Sequence, residues 1–131
     1  LIVLEEGLET RFTRHKKNAD ALRAGLAALG MELASPEGYR LDQITPVWIP
    51  EGIDDLQVRQ SLLVDYKIEI GRGLGQHAGK VWRIGLMGES SRTEYVMTLL
   101  SALEKILPRQ GYEVAAGSGV GAASTSLNEA W

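Results

Sequence analysis

The hydrophobic pattern of the first thirty residues predicts one long α-helix, 1–30. Apolar or half-apolar positions recur in steps of three and four and form one helical stripe: Leu4, Leu8, Phe12, His15, Ala19, Leu22, Leu26 and Leu29. Gly30 supplies the C-terminal end of this helix. At 1.5 Å per residue the helix would be roughly 44 Å long, which exceeds the diameter of a small domain. We therefore expect an interdomain connecting helix that packs partly on a region outside this sequence.

Three later segments predict β-strands. Residues 44–50, "ITPVWIP", are rich in β-branched and aromatic side chains and end at a proline. Pro46 lacks an N–H and indicates an edge strand or a bulge. Residues 65–71, "DYKIEIG", alternate with period two, and residues 79–88, "GKVWRIGLMG", form the third strand.

Two further helices are predicted from capping patterns. Asp54-x-x-Gln57 opens the first, and Ser91-x-x-Glu94 opens the second, which Pro108 ends. The apolar stripe of the first is expected to contain Leu56, Leu63 and either Val58 or Leu62, and that of the second Val96, Leu99, Leu103 and Ile106. The order helix, strand, helix, strand, strand, helix predicts an α+β fold. We expect a small, mainly antiparallel sheet with helices packed on one face, preceded by the long connecting helix.

This pattern divides the chain into three predicted parts. Residues 1–30 form the connecting helix, and residues 31–108 form a small globular domain. Residues 109–131 are small, polar and glycine-rich, so we expect a flexible Gly/Ala/Ser-rich tail. Because Leu1 begins in the middle of an apolar pattern, we also expect the chain to be a piece of a longer protein.

The composition excludes several kinds of site and partner but does not identify a function. The 131 residues carry a formal net charge of −3, which gives no electrostatic reason to expect nucleic acid. The absence of cysteine excludes disulfides, thiolate catalysis and Cys-based zinc sites within this chain. The two histidines have no metal-ligand spacing, so no metal site is expected, and no apolar run approaches the length of a membrane span. His15, on the helix stripe, is interpreted as a structural residue.

The glycine-rich segment 71–80, "GRGLGQHAGK", lies between two predicted strands. Walker loops and dinucleotide-binding loops both run into a helix, so a nucleotide site is not expected here. Two interpretations remain open at this point. The segment is either a mobile hairpin loop or a loop that lets its backbone approach a ligand closely.

The strand after this loop places an arginine at its middle. Trp82, Ile84 and Leu86 share one face and are expected to pack on the helices, while Val81, Arg83 and Gly85 share the other. Arg83 could simply face solvent. Alternatively, its planar guanidinium, with open space at Gly85, could anchor an anionic substrate. The pattern alone leaves both hypotheses open.

The sequence "YKIEIGRGLGQHAGKVWRIGLMG" strongly resembles the C-terminal region of the alanine–glyoxylate and serine–pyruvate aminotransferases, which are class V, fold-type I enzymes dependent on pyridoxal 5'-phosphate (PLP). The segment "GLETRFTRHKKNADALRAGL" is similar to the helix that leads from their large domain into their small one. The resemblance covers about residues 1–108. It implies that Arg83 binds the α-carboxylate of the substrate, and that Gly73, Leu74 and Gly75 lie near the substrate in the wall of the active site.

The resemblance also implies what this chain does not supply. The Schiff-base lysine and the other PLP-binding residues belong to the family's large domain, so no catalytic or cofactor-binding residue is expected here. The implied partners are that large domain, small amino acids and 2-oxo acids, and a second copy in a homodimer. The last residues, Asn128-Glu129-Ala130-Trp131, lack a peroxisomal Ser-Lys-Leu signal, so the cytoplasm is the expected location. Arg72 and Gln76-His77 depart from the usual loop pattern, which leaves loop shape and substrate preference undetermined.

Two alternatives compete with this interpretation. A non-catalytic, ferredoxin-like α+β interaction or regulatory module would account for the sheet and helices, but not for a projecting helix or for Arg83 beside Gly85. Lyase or desulfurase chemistry on the same fold is the weaker alternative, because the cysteine-dependent enzymes of that kind need a nucleophilic cysteine and this chain has none.

Overall fold

The computed structural model describes residues 8–34, 44–73, 75–85 and 93–129, without the side chains of residues 8, 9, 11, 12 and 129. The elements in chain order are α1 (Leu8–Ala28), β1 (Ile44–Trp48), α2 (Asp55–Tyr66), β2 (Gly71–Arg72), β3 (Val81–Gly85), α3 (Thr93–Ile106) and α4 (Ser118–Glu129). Two 3₁₀ turns, Gly75–His77 and Leu107–Gln110, precede β3 and follow α3. This arrangement confirms the predicted α+β fold with a small antiparallel sheet.

The sheet has the strand order β1-β3-β2, and both strand pairs are antiparallel. Pro46 lies opposite Arg83, on the strand that has β3 on only one side. On the other side, the N–H of Ala34 donates to the carbonyl of Pro46 at 2.9 Å and the N–H of Trp48 donates to the carbonyl of Glu32 at 2.8 Å. The nitrogen of Pro46 therefore faces away from β3, and its missing N–H removes no bond from the β1–β3 ladder. The edge position predicted for Pro46 is confirmed.

The hydrophobic core lies between one face of this sheet and the helices. Val47, Trp82 and Ile84 supply the sheet side and are fully buried. Helix α3 supplies the predicted stripe in full: Val96, Leu99, Leu103 and Ile106 are all buried in the same cluster. Pro108 follows in the 3₁₀ turn, as expected for a residue that stops an α-helix. Ser91, predicted to cap this helix, lies outside the described residues.

Helix α1 confirms the predicted stripe wherever its side chains are described. His15, Ala19, Leu22, Leu26 and Leu29 are buried. Gly30 takes a φ of +82°, and the N–H groups of Gly30 and Met31 donate to carbonyls of the last helical turn at 2.9 and 3.0 Å. No helix in these described stretches is both long enough and apolar enough to cross a membrane.

Helix α4 differs from the flexible tail that the composition predicts for 109–131. Its residues Ala123 and Leu127 are buried in the core cluster, and the helix packs along α1. The contact is close because glycines meet there: a Cβ on Gly25 would overlap the Leu100 side chain and lie 3.0 Å from the carbonyl oxygen of Gly119. Small residues in this segment therefore allow two helix backbones to approach each other. Trp131 lies outside the described residues.

The N-terminus of α2 confirms the predicted capping residue, Asp54. The second hydrogen bond expected of a capping box is made by a different residue. The side chain of Asp54 accepts a hydrogen bond from the N–H of Gln57 at 3.2 Å. In a capping box the residue at position 57 would bond back to the N–H of Asp54. Here that N–H donates instead to Oε1 of Gln110 at 2.6 Å, which ties α2 to the turn after α3.

The buried face of α2 is not the predicted one. Val58 and Leu62 are fully buried, whereas Leu56 and Leu63 are 53% and 48% exposed. The prediction that Leu56 and Leu63 face the core was wrong. The reason is that Val58 and Leu62, one turn apart, share the side of α2 that meets the rest of the core, while Leu56 and Leu63 project from the other side.

The strand predicted over 65–71 is shorter in the structure. Helix α2 continues to Tyr66, and Lys67 ends it in the left-handed conformation (φ 58°), with its N–H bonded to the carbonyls of Leu62 and Leu63. The predicted alternation is present in the burial of this segment, because Ile68 and Ile70 are buried and Lys67 and Glu69 are exposed. Only Gly71–Arg72 pairs as a strand with β3.

Candidate substrate-binding face

The strand register defines which residues share the sheet face opposite the core. Directly opposed residues of antiparallel strands point to the same side. Arg83 is opposed by Pro46 on β1 and by Gly71 on β2. We call this side the Arg83 face, and it consists of Ile44, Pro46, Trp48, Gly71, Val81, Arg83 and Gly85.

Arg83 occupies the centre of this face, between two residues with little side chain. A Cβ added at Gly71 would meet only the backbone oxygen of Arg83, at 3.4 Å, and its Cβ, at 3.6 Å. None of the hydrogen bonds and ion pairs formed among the described residues uses the guanidinium of Arg83. Arg83 is half-buried, and its guanidinium donors remain available to a ligand on this face.

The glycine-rich loop before β3 is a compact turn. The N–H of Gly73 donates to the carbonyl of Val81 at 2.8 Å, and the N–H of Lys80 donates to the carbonyl of His77 at 3.0 Å. A Cβ at Gly73 would overlap the carbonyl oxygen of His77, so this position requires glycine. Gly75 has a φ of +58°, and Leu74, also predicted to lie near the substrate, lies outside the described residues. The loop thus joins β3 only two residues before Arg83.

An aromatic pair borders the Arg83 face on the side of this loop. The rings of Trp48 and His77 meet edge to face, with centroids 5.6 Å apart and an interplanar angle of 69°. Trp48 is 37% exposed and is the diagonal neighbour of Arg83 across the β1–β3 pair. The sequence analysis selected neither residue as part of a site. Strand alternation places Trp48 on this face, but its contact with His77 depends on the loop conformation.

The opposite side of β3 carries a polar cluster that the sequence analysis also missed. Trp82 donates its indole N–H to Oδ1 of Asp55 at 2.6 Å, and Arg59 donates from Nε and Nη2 to the two oxygens of Asp55 at 2.8 and 3.0 Å. The Arg59 hydrogen bonds lower the pKa of Asp55 against the opposing effect of partial burial, and the Trp82 bond and the nearby charge of Arg72 act in the same direction as Arg59. Asp55 in turn raises the pKa of Arg59.

Part of that cluster carried a signal in the sequence. Asp55 and Arg59 are four residues apart in a predicted helix, which is the spacing of a helical ion pair. The bond to Trp82 joins residues 27 positions apart and therefore depends on the tertiary fold.

The arrangement of the Arg83 face is suited to binding and orienting a ligand. A guanidinium presents its donors in a rigid planar fork, which matches the two oxygens of a carboxylate. Arg83 stands on the middle strand of the sheet, and β3 pairs with β1 on one side and with β2 on the other. A carboxylate bound there would have its position and its plane fixed.

The chain is similar to known proteins over most of its length. No protein-family model matches the chain. It is 46% identical over 122 residues to the (S)-ureidoglycine–glyoxylate transaminase of Bacillus subtilis, covering 93% of this chain and 29% of that protein. It is 38% identical over 129 residues to the serine–glyoxylate aminotransferase of Methylorubrum extorquens, covering 97% of this chain and 32% of that protein.

The structural comparison agrees. The crystal structure of the ureidoglycine–glyoxylate aminotransferase from Bacillus subtilis superposes with a TM-score of 0.92 at 44% identity, over 97% of this chain and 33% of that one. The chain therefore spans only about a third of the length of the relatives it matches. With this identity and this superposition, the chain is a part of an enzyme of the alanine/serine–glyoxylate aminotransferase family.

Proposed function

We propose that this chain is the small domain of a PLP-dependent aminotransferase and that Arg83 binds the α-carboxylate of its substrates. The observation that carries the proposal is the Arg83 guanidinium on the sheet face opposite the core, between Pro46 and Gly71 and bonded to no described side chain. A fully charged group in such a position is suited to a ligand of opposite charge. Amino acids and 2-oxo acids both carry the carboxylate that an arginine fork matches.

The contribution of this chain to the reaction is orientation. Two parallel hydrogen bonds to a carboxylate fix both the position and the plane of the substrate, which lowers the entropic cost of reaching a reactive geometry. PLP, held by the remainder of the enzyme, supplies the electron sink for amino-group transfer. We assign no residue of this chain to the cofactor, and Arg83 acts on the substrate alone.

The loop that contains Gly73, Leu74 and Gly75 is proposed to form part of the wall of the substrate site. Its support is position, since the loop enters β3 two residues before Arg83 and its His77 contacts Trp48 on the Arg83 face. The steric requirement for glycine at position 73 keeps the backbone of this wall compact. The wall thereby limits the space for a substrate side chain beside the carboxylate site.

We propose alanine or serine as amino donor and glyoxylate or pyruvate as acceptor. The names of the matched relatives support glyoxylate in particular, because it is the acceptor in both of the curated ones. The proposed partners are the large domain of the same polypeptide and a second copy in a homodimer. A cytoplasmic location is part of the proposal and rests on the sequence alone.

The test is Arg83→Lys in the full-length enzyme, meaning the longer polypeptide that contains this chain. Lysine keeps the charge but loses the fork, so we expect the apparent affinity for amino and 2-oxo acid substrates to fall by roughly 1–3 kcal/mol. Steady-state kinetics with both substrate types measures this change.

Arg109→Lys is the matched control, because Arg109 is exposed in the turn after α3, on the helical layer rather than on the Arg83 face. Its kinetics should be those of the unmodified enzyme. Unchanged kinetics in Arg83→Lys would instead favour the ferredoxin-like interaction or regulatory module, for which nothing on the Arg83 face needs to bind a carboxylate.

A further inference from the structure

Trp82 and Arg83 are neighbours on β3 and project to opposite faces of the sheet. Trp82 is fully buried in the core, and its single polar atom, Nε1, donates to Oδ1 of Asp55 at 2.6 Å. A buried indole N–H without an acceptor is unfavourable, so this bond selects one orientation of the indole. Through Trp82, the side chain of Asp55 is thus linked to the backbone that carries Arg83.

The acceptor is itself held in place. Asp55 is the first residue of α2, and Arg59, one turn later, donates to both of its carboxylate oxygens at 2.8 and 3.0 Å. Only 16% of the Asp55 side chain and 23% of the Arg59 side chain are exposed, which limits competition from water. A bidentate, partly buried pair of this kind is stronger than an exposed ion pair. The link from α2 to β3 therefore has a fixed anchor at the helix end.

On the opposite face, few side-chain contacts hold β3 in place beside Arg83. Arg83 has a proline on one side and a glycine on the other, and β2 consists of two residues only. On that face Val81, two residues before Arg83, is buried, but the residues opposite Arg83 itself offer little side chain to pack against. The orientation of β3 at Arg83 therefore depends mainly on the core side, where Trp82 lies. Bidentate binding of a carboxylate is sensitive to this orientation, because both donors must stay in line.

We propose that Asp55, held by Arg59, is a positioning residue that aims Arg83 at the substrate carboxylate through the indole of Trp82. This inference rests on the proposed role of Arg83 in the full-length enzyme. It assigns a function in substrate binding to three residues on the core side of the sheet, none of which reaches the Arg83 face.

The experiment compares Asp55→Asn, Trp82→Phe and Arg83→Lys in the full-length enzyme, with Asp54→Asn as the matched control. Asp54 lies at the same helix end and its carboxylate bonds to the N–H of Gln57 on its own helix. Asp55→Asn and Trp82→Phe should raise KM for the amino and 2-oxo acid substrates about three- to tenfold with kcat little changed. Asp54→Asn removes a charge at the same helix end but keeps an oxygen that can accept the N–H of Gln57, so it should change the Tm little and leave KM unchanged.

The double variant shows whether the effect passes through Arg83. In the Arg83→Lys background, Asp55→Asn should add no further increase in KM, because the geometry that it protects is already lost. An equal KM increase in both backgrounds, or the same increase in Asp54→Asn, would overturn the inference.

The remaining outcomes separate the two proposals. If Arg83→Lys raises KM but neither Asp55→Asn nor Trp82→Phe does, the positioning role is refuted and the carboxylate-binding role of Arg83 stands. If Arg83→Lys itself leaves KM unchanged, both proposals fall. Because Trp82→Phe keeps an aromatic ring in the core, it remains informative even if Asp55→Asn does not fold.

Discussion

Gly71 and Gly73 lie two residues apart, yet a side chain would meet very different surroundings at each. At Gly71 an added Cβ would make ordinary contacts of 3.4 and 3.6 Å with Arg83. At Gly73 it would overlap the carbonyl oxygen of His77, which belongs to the backbone and cannot rotate away. Gly73 is therefore required by the shape of the loop, whereas position 71 could carry a Cβ in ordinary contact with Arg83.

This difference predicts opposite outcomes for the same substitution. Gly73→Ala should destabilise the loop by about 1–3 kcal/mol, because relieving the overlap must move the 3₁₀ turn. Hydrogen exchange in the full-length enzyme measures this directly through the N–H groups of Gly73, Ala78 and Lys80, which bond within the loop or to β3. Gly71→Ala is the control and should leave their exchange unchanged. Equal exchange rates in the two variants would show that the loop does not have the described conformation.

At the scale of elements, the sequence predicted those helices and strands whose signal is local. Helices α1 and α3 carry one clear apolar stripe each, and β1 and β3 combine β-branched residues with alternation, so period alone located them. Helix α2 has apolar residues on two sides. Only its packing decides that Val58 is buried and Leu56 is not, and that information is absent from the local pattern.

Helix α4 shows why composition misled the prediction for the last segment. Glycine, alanine and serine are common in flexible tails and also at closely packed helix contacts, and the two cases share one composition. What distinguishes them here is the matching Gly25 on α1, which lies far away in sequence. Contacts between distant parts of the chain were equally unpredictable at the candidate site. Arg83 could be selected from its strand and its family, whereas the Trp48–His77 and Asp55–Trp82 contacts depend on the tertiary fold.

The α1–α4 contact predicts that alanine has different effects at two glycines. Both Gly25→Ala and Gly121→Ala gain about 0.5–1 kcal/mol of helix propensity. At Gly121 nothing lies within 4 Å of the added Cβ, so the full-length enzyme should become slightly more stable. At Gly25 the methyl group meets buried Leu100 and the backbone of Gly119, so this variant should be about 1–3 kcal/mol less stable than Gly121→Ala.

Thermal unfolding of the two variants measures this difference as a difference in Tm. The comparison isolates the steric effect, because the gain in helix propensity is common to both substitutions. Equal Tm values would mean that Gly25 does not pack against Leu100 and Gly119 as described.

At the scale of the whole molecule, the two faces of the sheet have separate tasks. One face of the sheet forms the core together with the helices. The opposite face of the sheet carries Arg83. The chain spans about a third of its relatives, and in the proposed function the groups that complete the reaction site belong to the rest of the polypeptide. This division fits an enzyme in which one part carries the cofactor and the other orients the substrate.

The division predicts that this chain by itself does not retain PLP. PLP enzymes bind the cofactor covalently through a lysine set in a dedicated pocket. The lysines of this chain are Lys16, Lys17, Lys67, Lys80 and Lys105, and the resemblance places none of them in the cofactor motif of the family. Ordinary surface amines bind PLP weakly and reversibly, so gel filtration should remove it. The full-length enzyme should keep it in a one-to-one ratio.

The measurement is the visible absorbance of the PLP–lysine Schiff base after gel filtration of the isolated chain. Circular dichroism first verifies that the isolated chain is helical. If the isolated chain kept one equivalent of PLP, the cofactor site would lie at least partly on this chain. One of its own lysines would then have to reach the cofactor. The separation of cofactor binding from substrate orientation, on which the role of Arg83 depends, would have to be abandoned.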